Sequence, residues 1–165
     1  MLRVLYTGSV SPVVLSVIIR PQKAPGGAIR KPLPERIKLE FLLYLEGHSR
    51  CIDVSFELRG TDFYKRVWQK TREIPYGQRR TYRWLAEAIG NPKAVRAVGQ
   101  ALRRNPLPLI IPCHRVVGSD GSLVGFSAGI DLKRFLLDLE SRVAGSSFRS
   151  SVLQGQGRHR DSQSP

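Results

Sequence analysis

A short segment of the chain, residues 105–117, restricts its own folding more than any other feature of the sequence. Within seven residues it holds three prolines: Pro106, Pro108 and Pro112. Each proline fixes φ, lacks an N–H and restricts the residue before it, so this stretch cannot form an α-helix. An apolar run fills residues 109–111 and leads to Cys113 and His114. The sequence therefore predicts a stiff, extended segment that presents a cysteine beside a histidine.

This pair indicates a nucleophilic thiol, because a nearby imidazole can help a cysteine to form its thiolate near neutral pH. Neighbouring side chains of an extended segment point in opposite directions, so a bridging water could relay the proton. Glu140, at the end of the last predicted helix, is a candidate to orient the histidine. The alternatives are a buried inert thiol at Cys113 and a structural His114. Cys51 begins an alternating strand pattern and is interpreted as structural.

Composition supports a basic intracellular protein. The 165 residues carry a net charge of +14 and suit one domain or two small lobes. Such a charge attracts phosphate backbones, although a soluble basic protein without a nucleic-acid partner would look the same. Two cysteines make no disulfide framework, and no Cys-x-x-Cys or His-rich motif suggests a metal. The interrupted apolar start reads as strands rather than a signal peptide, and no membrane span is expected.

Residues 1–59 are predicted to form a small α/β lobe with a structural role, an antiparallel sheet with a helix. Its predicted elements are strands at 2–7 and 13–19, a loop at 21–32, a helix from Pro34 to Gly47 and a half-buried strand at 52–58.

Residues 60–145 are predicted to form a mostly helical lobe. A first helix ends near Pro75. Thr81 caps a second helix over 82–89, which turns Leu85, Ala88 and Ile89 inward. Asn91 caps a third helix that begins at Pro92. The third helix has a buried stripe formed by Val95, Val98 and Leu102. Its opposite face carries Lys93, Arg96, Gln100 and Arg103. The last two helices form a helix-turn-helix pattern, for which a merely solvated basic face is the alternative.

A flexible loop is expected at 125–129. A final helix is predicted over 131–140, with an inward face formed by Leu132, Phe135, Leu136 and Leu139. Residues 146–165 contain few apolar side chains and are interpreted as a disordered basic tail.

Residues 61–140 resemble the O6-alkylguanine-DNA alkyltransferases, which repair alkylated guanine. The matching motifs are Ile-Pro-Tyr-Gly at 74–77, Thr-Tyr at 81–82, Gly-Asn-Pro-Lys-Ala-Val-Arg-Ala-Val-Gly at 90–99, Asn-Pro-Leu-Pro at 105–108, Ile-Pro-Cys-His-Arg-Val-Val at 111–117, Phe-Ser-Ala-Gly at 126–129 and Leu-Leu-Asp-Leu-Glu at 136–140. The Pro-Cys-His-Arg-Val core with an upstream Asn-Pro is specific to this family.

The resemblance implies the roles of five catalytic residues. Cys113 accepts the alkyl group, His114 acts as a water-mediated base and Glu140 orients the histidine. Tyr82 supplies a proton or hydrogen bond at guanine N3. Asn105 organises the turn before the active-site segment, which suits an amide that can satisfy backbone groups.

The resemblance also implies how the base is held. The carbonyls of Cys113 and Val116 read the exocyclic amine of guanine, and Ser127 closes the pocket near O6. Phe126 and Ala128 stand where relatives often carry Tyr and Gly, so the width of the pocket is left open.

The resemblance also implies how the protein binds DNA. Arg96 enters the base stack and fills the space that a flipped base leaves. Lys93 and Arg103 contact phosphates, and Gln100 lies on the same face. Small residues would allow the helix to approach the minor groove closely: Ala94, Ala97 and Gly99.

The chain is thus expected to be a single-turnover methyltransferase that acts as a monomer on double-stranded DNA containing O6-alkylguanine. No cofactor is expected, and no zinc, because the first lobe offers only His48 and Cys51 as soft ligands. The expected location is cytoplasmic, nucleoid-associated or nuclear. The alternatives are a non-catalytic alkylguanine-binding protein, a cysteine hydrolase using Cys113, His114 and Glu140, and a general basic DNA-binding protein.

Overall fold

The computed structural model describes residues 2–7, 13–19 and 33–155. These residues form a small two-stranded antiparallel sheet, five α-helices and a short parallel strand pair. Strands β1 (Leu2–Thr7) and β2 (Val13–Ile19) lie at the predicted positions, and a register shift interrupts their pairing between Leu5 and Tyr6. The predicted loop at 21–32 lies outside the described residues.

The region predicted as a strand over 52–58 keeps its alternating burial but is not a regular strand. One bridge joins Phe56 to Val14 of β2, supported by backbone hydrogen bonds from the Val14 N–H to Ser55 and from the Glu57 N–H to Val14. Side-chain burial therefore follows the alternation. A strand also requires a continuous row of backbone partners, and among the described residues this segment has none beyond the bridge and its two hydrogen bonds.

Helix α1 (Glu35–Leu45) begins directly after Pro34, as predicted, and ends before Gly47. Gly47 has a φ of +79°, a conformation that favours glycine at the end of a helix. The inner face of α1 buries Ile37, Phe41 and Tyr44. This face brings Tyr44 against the centre of the molecule.

Three helices follow: α2 (Asp62–Arg72), α3 (Tyr82–Ala88) and α4 (Val95–Arg103). The Thr81 hydroxyl accepts a hydrogen bond from the Trp84 N–H, so its predicted cap is confirmed. The prediction for Asn91 was wrong in detail. A 3₁₀ turn over Pro92–Ala94 comes first, and the Asn91 side chain makes no capping bond, because its backbone (φ −137°, ψ 71°) lacks the extended conformation of a capping residue.

Helices α2, α3 and α4 pack against one another, and the Trp68 indole N–H donates to the Ala101 carbonyl at 2.8 Å. Val98 and Leu102 of α4 are buried and Val95 is half-buried, as the predicted stripe requires. In α3, Leu85 is buried as predicted, but Ala88 is exposed and Ala86 is buried in its place.

The proline-rich segment contains no α-helix, as predicted. Leu109 adopts a φ of +76°, unusual for a non-glycine residue. The residues that follow were predicted to be extended, but Cys113–Arg115 form a 3₁₀ turn. This turn leads into β4 (Val116–Val117), which pairs in parallel with β3 (Arg80–Thr81). Side-chain directions at the turn therefore do not follow strand alternation.

Helix α5 (Ile130–Gly155) is much longer than the predicted 131–140. Extending a formed helix costs far less than starting one, and no proline interrupts residues 130–155. Residues 146–155 of the predicted disordered tail are therefore helical, and residues 156–165 lie outside the described part. Phe135 was predicted to face inward but is 47% exposed, because its neighbours Leu136 and Leu137 take the buried positions.

None of the helices within the described residues is long and apolar enough to cross a membrane.

Candidate active site

Cys113 lies at the base of the 3₁₀ turn, and its side chain contacts the amide of Asn105. Asn105 follows α4 and donates from Nδ2 to the Cys113 sulfur at 3.1 Å and to the Ile111 carbonyl at 3.0 Å. The Asn105 Oδ1 accepts from the Leu107 N–H. The Asn105 side chain thus links the start of the proline-rich segment, at Leu107, with its end, at Ile111 and the Cys113 thiol.

The Cys113 thiol is almost fully buried, with 6% of the residue exposed. Burial raises the pKa of this thiol, while the hydrogen bond from Asn105 and the charge of Lys133 act to lower it. Two features that favour the thiolate therefore oppose the cost of removing the sulfur from water.

His114 and Glu140 form a buried pair. The His114 Nε2 lies 2.8 Å from the Glu140 Oε1, and both side chains are fully buried. Because a carboxylate only accepts hydrogen bonds, Nε2 carries the proton. The other ring nitrogen, Nδ1, is buried and has no hydrogen-bond partner among the described residues. Burial lowers the pKa of His114 despite the carboxylate beside it, which favours the neutral imidazole and leaves the lone pair of Nδ1 without a hydrogen.

Glu140 accepts from several parts of the chain besides His114. Arg115 donates from Nε and Nη2, the Tyr44 hydroxyl donates at 2.5 Å and the Gly77 N–H at 2.9 Å. Burial alone would raise the pKa of this carboxyl, but the hydrogen bonds from His114 and Arg115 outweigh it and lower the pKa to about 2. Glu140 is therefore a fixed negative charge behind His114. It lies in the middle of α5 and not at its end, so the predicted helix-end position was wrong.

Tyr82 is half-buried at the start of α3, and its hydroxyl donates to the Val124 carbonyl at 2.9 Å. Burial, together with the charge of Cys113, raises the pKa of Tyr82 to about 12. The phenol therefore stays protonated and can donate. Gly125 has a φ of +67°, and a Cβ there would lie 2.8 Å from the Tyr82 hydroxyl, so a glycine allows this close approach.

The loop over 118–129 carries the other predicted pocket residues. Phe126 is buried with its ring edge-on to His114 at 6.4 Å between centroids. Ser127 is exposed and Ala128 half-buried. Val116 is fully buried, and its carbonyl accepts from Lys133 at 2.6 Å.

On α4 and the turn before it, the predicted DNA-facing residues lie at the surface. The exposed members are Lys93, Arg96, Ala97, Gln100 and Arg103, and the half-buried members are Ala94 and Gly99. No atom lies within 4 Å of a Cβ built at Gly99, so that side of the helix is open.

A cavity of about 530 Å³ lies elsewhere, between α1, α2 and the proline-rich segment. Tyr44, Pro112 and Arg115 line it, but Cys113 and Tyr82 do not. We assign no substrate to this cavity because it does not reach the thiol. Among the described residues no group of three His, Cys, Asp or Glu could hold a metal ion. Cys51 is free and exposed.

Three residues of the site were not assigned roles from the sequence: Tyr44, Arg115 and Lys133. Tyr44 lies in α1, in the lobe that was predicted to have only a structural role. Lys133 shares a helical face with Leu136 and Glu140, at offsets of 3 and 7, and a lysine on a buried face is the signal that could have identified it.

Comparison with known proteins agrees with this geometry. Residues 62–142 match the family model described as 6-O-methylguanine DNA methyltransferase, DNA binding domain. This region holds Cys113, His114 and Glu140 together with helices α2 to α4.

Curated relatives named methylated-DNA--protein-cysteine methyltransferase include one from Methanosarcina acetivorans, 53% identical over 97 residues, which are 59% of this chain and 62% of that protein. One from Haemophilus influenzae is 47% identical over 110 residues, 66% of this chain and 62% of that protein. The chain thus spans about three fifths of the length of the curated relatives it matches.

The similarity to a solved structure is more extensive. The crystal structure of Mycobacterium tuberculosis OGT in complex with DNA superposes with a TM-score of 0.74 at 38% identity, covering 85% of this chain and 87% of that one. The shared sequence and fold extend well beyond the cysteine motif, so the chain belongs to the 6-O-methylguanine DNA methyltransferase family.

Proposed function

We propose that this protein repairs DNA by transferring the alkyl group of O6-alkylguanine irreversibly to the sulfur of Cys113. The observation that carries the proposal is the network in which Asn105 contacts the thiol and Glu140 holds a neutral His114. In the reaction, the Cys113 sulfur forms a bond to the alkyl carbon as the bond to O6 breaks. The thiol proton finally resides on the restored guanine, which stays attached to the DNA.

The proton leaves Cys113 through His114. Its Nδ1 is a buried base without a protein partner among the described residues, and a bridging water would connect it to the sulfur. The fixed charge of Glu140 stabilises the imidazolium that forms. Thioether formation consumes the thiol, so each molecule reacts once.

As the bond between O6 and the alkyl carbon breaks, negative charge develops on the guanine ring, and hydrogen bonds are needed to stabilise it. Tyr82 supplies one at N3, and its high pKa keeps the proton on the phenol until then. The carbonyls of Cys113 and Val116 accept from the exocyclic amine, Ser127 approaches O6, and Phe126 and Ala128 form the walls of the pocket.

The DNA-binding unit is a helix-turn-helix made of α3 and α4 within a C-terminal lobe over 60–145, supported by a structural lobe over 1–59. The target base is flipped out of the duplex, and Arg96 fills the vacated space. Small residues on α4 allow a close approach to the minor groove, while Lys93 and Arg103 contact phosphates and Gln100 lies beside them. The protein works as a monomer wherever the host keeps its DNA, in the cytoplasm, nucleoid or nucleus.

Intact mass spectrometry tests the transfer. After incubation with duplex DNA carrying O6-methylguanine, we expect one increment of about 14 Da, located on the Cys113 peptide. Cys113→Ala should bind the same DNA without any increment. A wild-type protein that binds the damaged DNA but gains no mass would instead be a non-catalytic binder, and an increment on Cys51 would contradict the assigned nucleophile.

Arg96→Ala tests base flipping. We expect much slower reaction with the duplex and nearly unchanged reaction with the free base O6-methylguanine, because the free base needs no flipping. Arg103→Ala is the matched control: losing a phosphate contact should weaken duplex binding, but the reaction at saturating duplex should keep its wild-type rate, whereas Arg96→Ala should stay slow there. Equal slowing of both reactions in Arg96→Ala would contradict the finger role.

A further inference from the structure

Lys133 is a buried lysine on the inner face of α5. Its residue exposure is 0%, and its ammonium donates to the Val116 carbonyl at 2.6 Å and to the Val124 carbonyl at 2.8 Å. Fully buried lysines are rare unless they are paired with an anion. Because removing an ammonium group from water costs free energy, its burial here indicates a role for the charge.

No carboxylate of the described residues forms an ion pair with Lys133. Among residues 33–145 the only other buried side chain of a Lys or Arg is that of Arg115, which is paired with Glu140. Lys133 forms no ion pair among the described residues, whereas exposed Arg134 beside it on α5 pairs with Asp131. The buried ammonium therefore has carbonyl partners but no counter-ion.

Three titratable groups face this ammonium from the elements packed around it: Cys113, His114 and Tyr82. Its charge favours the thiolate of Cys113 and disfavours the imidazolium of His114. Its Nζ lies 5.9 Å from the centroid of the Tyr82 ring. Of these groups, Cys113 is the one that becomes an anion at the start of the proposed reaction.

Lys133 also shares an acceptor with Tyr82. The Tyr82 hydroxyl and the Lys133 ammonium both donate to the Val124 carbonyl. When the phenol turns its proton towards a substrate, Lys133 keeps that carbonyl satisfied, so the loop over 118–129 need not move.

We propose that Lys133 is a positioning residue whose buried ammonium is the counter-ion of the Cys113 thiolate and holds the Val116 and Val124 carbonyls in place. The inference rests on the proposed alkyl transfer and adds the source of the stabilised thiolate. Lys133 transfers no proton: the thiol proton leaves through His114, and the sulfur supplies the electron pair of the new S–C bond. Burial lowers the pKa of Lys133 to about 8, which still leaves it charged near neutral pH.

The test is the reaction of Cys113 with iodoacetamide in the absence of DNA, followed by peptide mass from about pH 5 to pH 10. In Lys133→Met we expect the pH profile to move to higher pH by about one unit or more, so that the rate near neutral pH falls about tenfold. Arg134→Met is the matched control, because it removes an exposed charge from the same helix. A folded Lys133→Met protein that reacts at the wild-type rate near neutral pH would overturn the inference.

A second measurement remains available if Lys133→Met does not fold. The pKa of Lys133, followed by NMR at its ε-methylene carbon, should fall in Cys113→Ala, because coupling between two sites is reciprocal. An unchanged pKa would contradict the counter-ion role. Neither experiment uses alkylguanine, so a protein that shows both effects but takes no methyl from DNA would refute the proposed function alone.

Discussion

Glu140 concentrates the electrostatics of the site in one side chain. Its carboxylate accepts hydrogen bonds from the 3₁₀ turn over Cys113–Arg115, from α1 and from the backbone at Gly77. A buried charge is tolerated only when such partners replace its hydration. The same bonds that orient His114 therefore also stabilise the fold.

Glu140→Gln should lower the free energy of unfolding at neutral pH by about 3–5 kcal/mol, because it leaves Arg115 buried without its counter-ion. The carboxyl pKa is lowered from 4.5 to about 2 in the folded protein. Its contribution is therefore fully present above pH 4.5 and is lost as the pH falls towards 2.

Urea unfolding across this pH range measures the effect. The difference between wild type and Glu140→Gln should shrink as the pH falls, while Glu87→Gln, which changes an exposed carboxylate on α3, should show almost no difference at any pH. A constant difference for Glu140→Gln would contradict the low pKa.

At the scale of elements, α4 combines a packed inner face with an open outer face. A glycine in a helix costs stability, yet Gly99 lies in mid-helix with nothing within 4 Å of a Cβ built on it. Internal packing therefore does not require a glycine, whereas close approach to DNA would.

Gly99→Ala should raise the free energy of unfolding by about 0.5–1 kcal/mol and weaken the binding of duplex DNA. Thermal unfolding and fluorescence anisotropy measure the two effects. A variant that is more stable but binds DNA less tightly would show that Gly99 serves contact with DNA and not the fold. Unchanged DNA affinity in the stabilised variant would contradict the proposed approach of α4.

At the scale of the whole molecule, the net charge of +14 predicts association with DNA that weakens as salt is added. Only cations at the interface contribute to this dependence. The charge by itself does not show which of them bind phosphates.

The double variant Lys93→Ala with Arg103→Ala should reduce the slope of log Kd against log salt by about two, one for each lost phosphate contact. Lys38→Ala on α1 removes an exposed cation from a different element and should leave the slope unchanged. An unaltered slope in the double variant would place the phosphate contacts elsewhere on the protein.

The sequence alone was enough to predict β1, β2, α1, α3 and the non-helical proline-rich segment, because turns, caps and prolines act over a few residues. It also pointed to Cys113 beside His114, through a motif of adjacent residues. The same local reasoning misplaced the end of α5 and the face occupied by Phe135, because extension of a helix and burial of one of its faces depend on what the rest of the chain packs against it.

The tertiary structure decided how the site is completed. Tyr44 reaches Glu140 across 96 positions of sequence, and Lys133 reaches the carbonyl of Val116 across 17. Neither contact follows from spacing along the chain. The groups meet because α1 and α5 both pack against the 3₁₀ turn that carries Cys113. The sequence by itself indicated the proposed nucleophile and base, and packing decided which buried charged groups lie beside them.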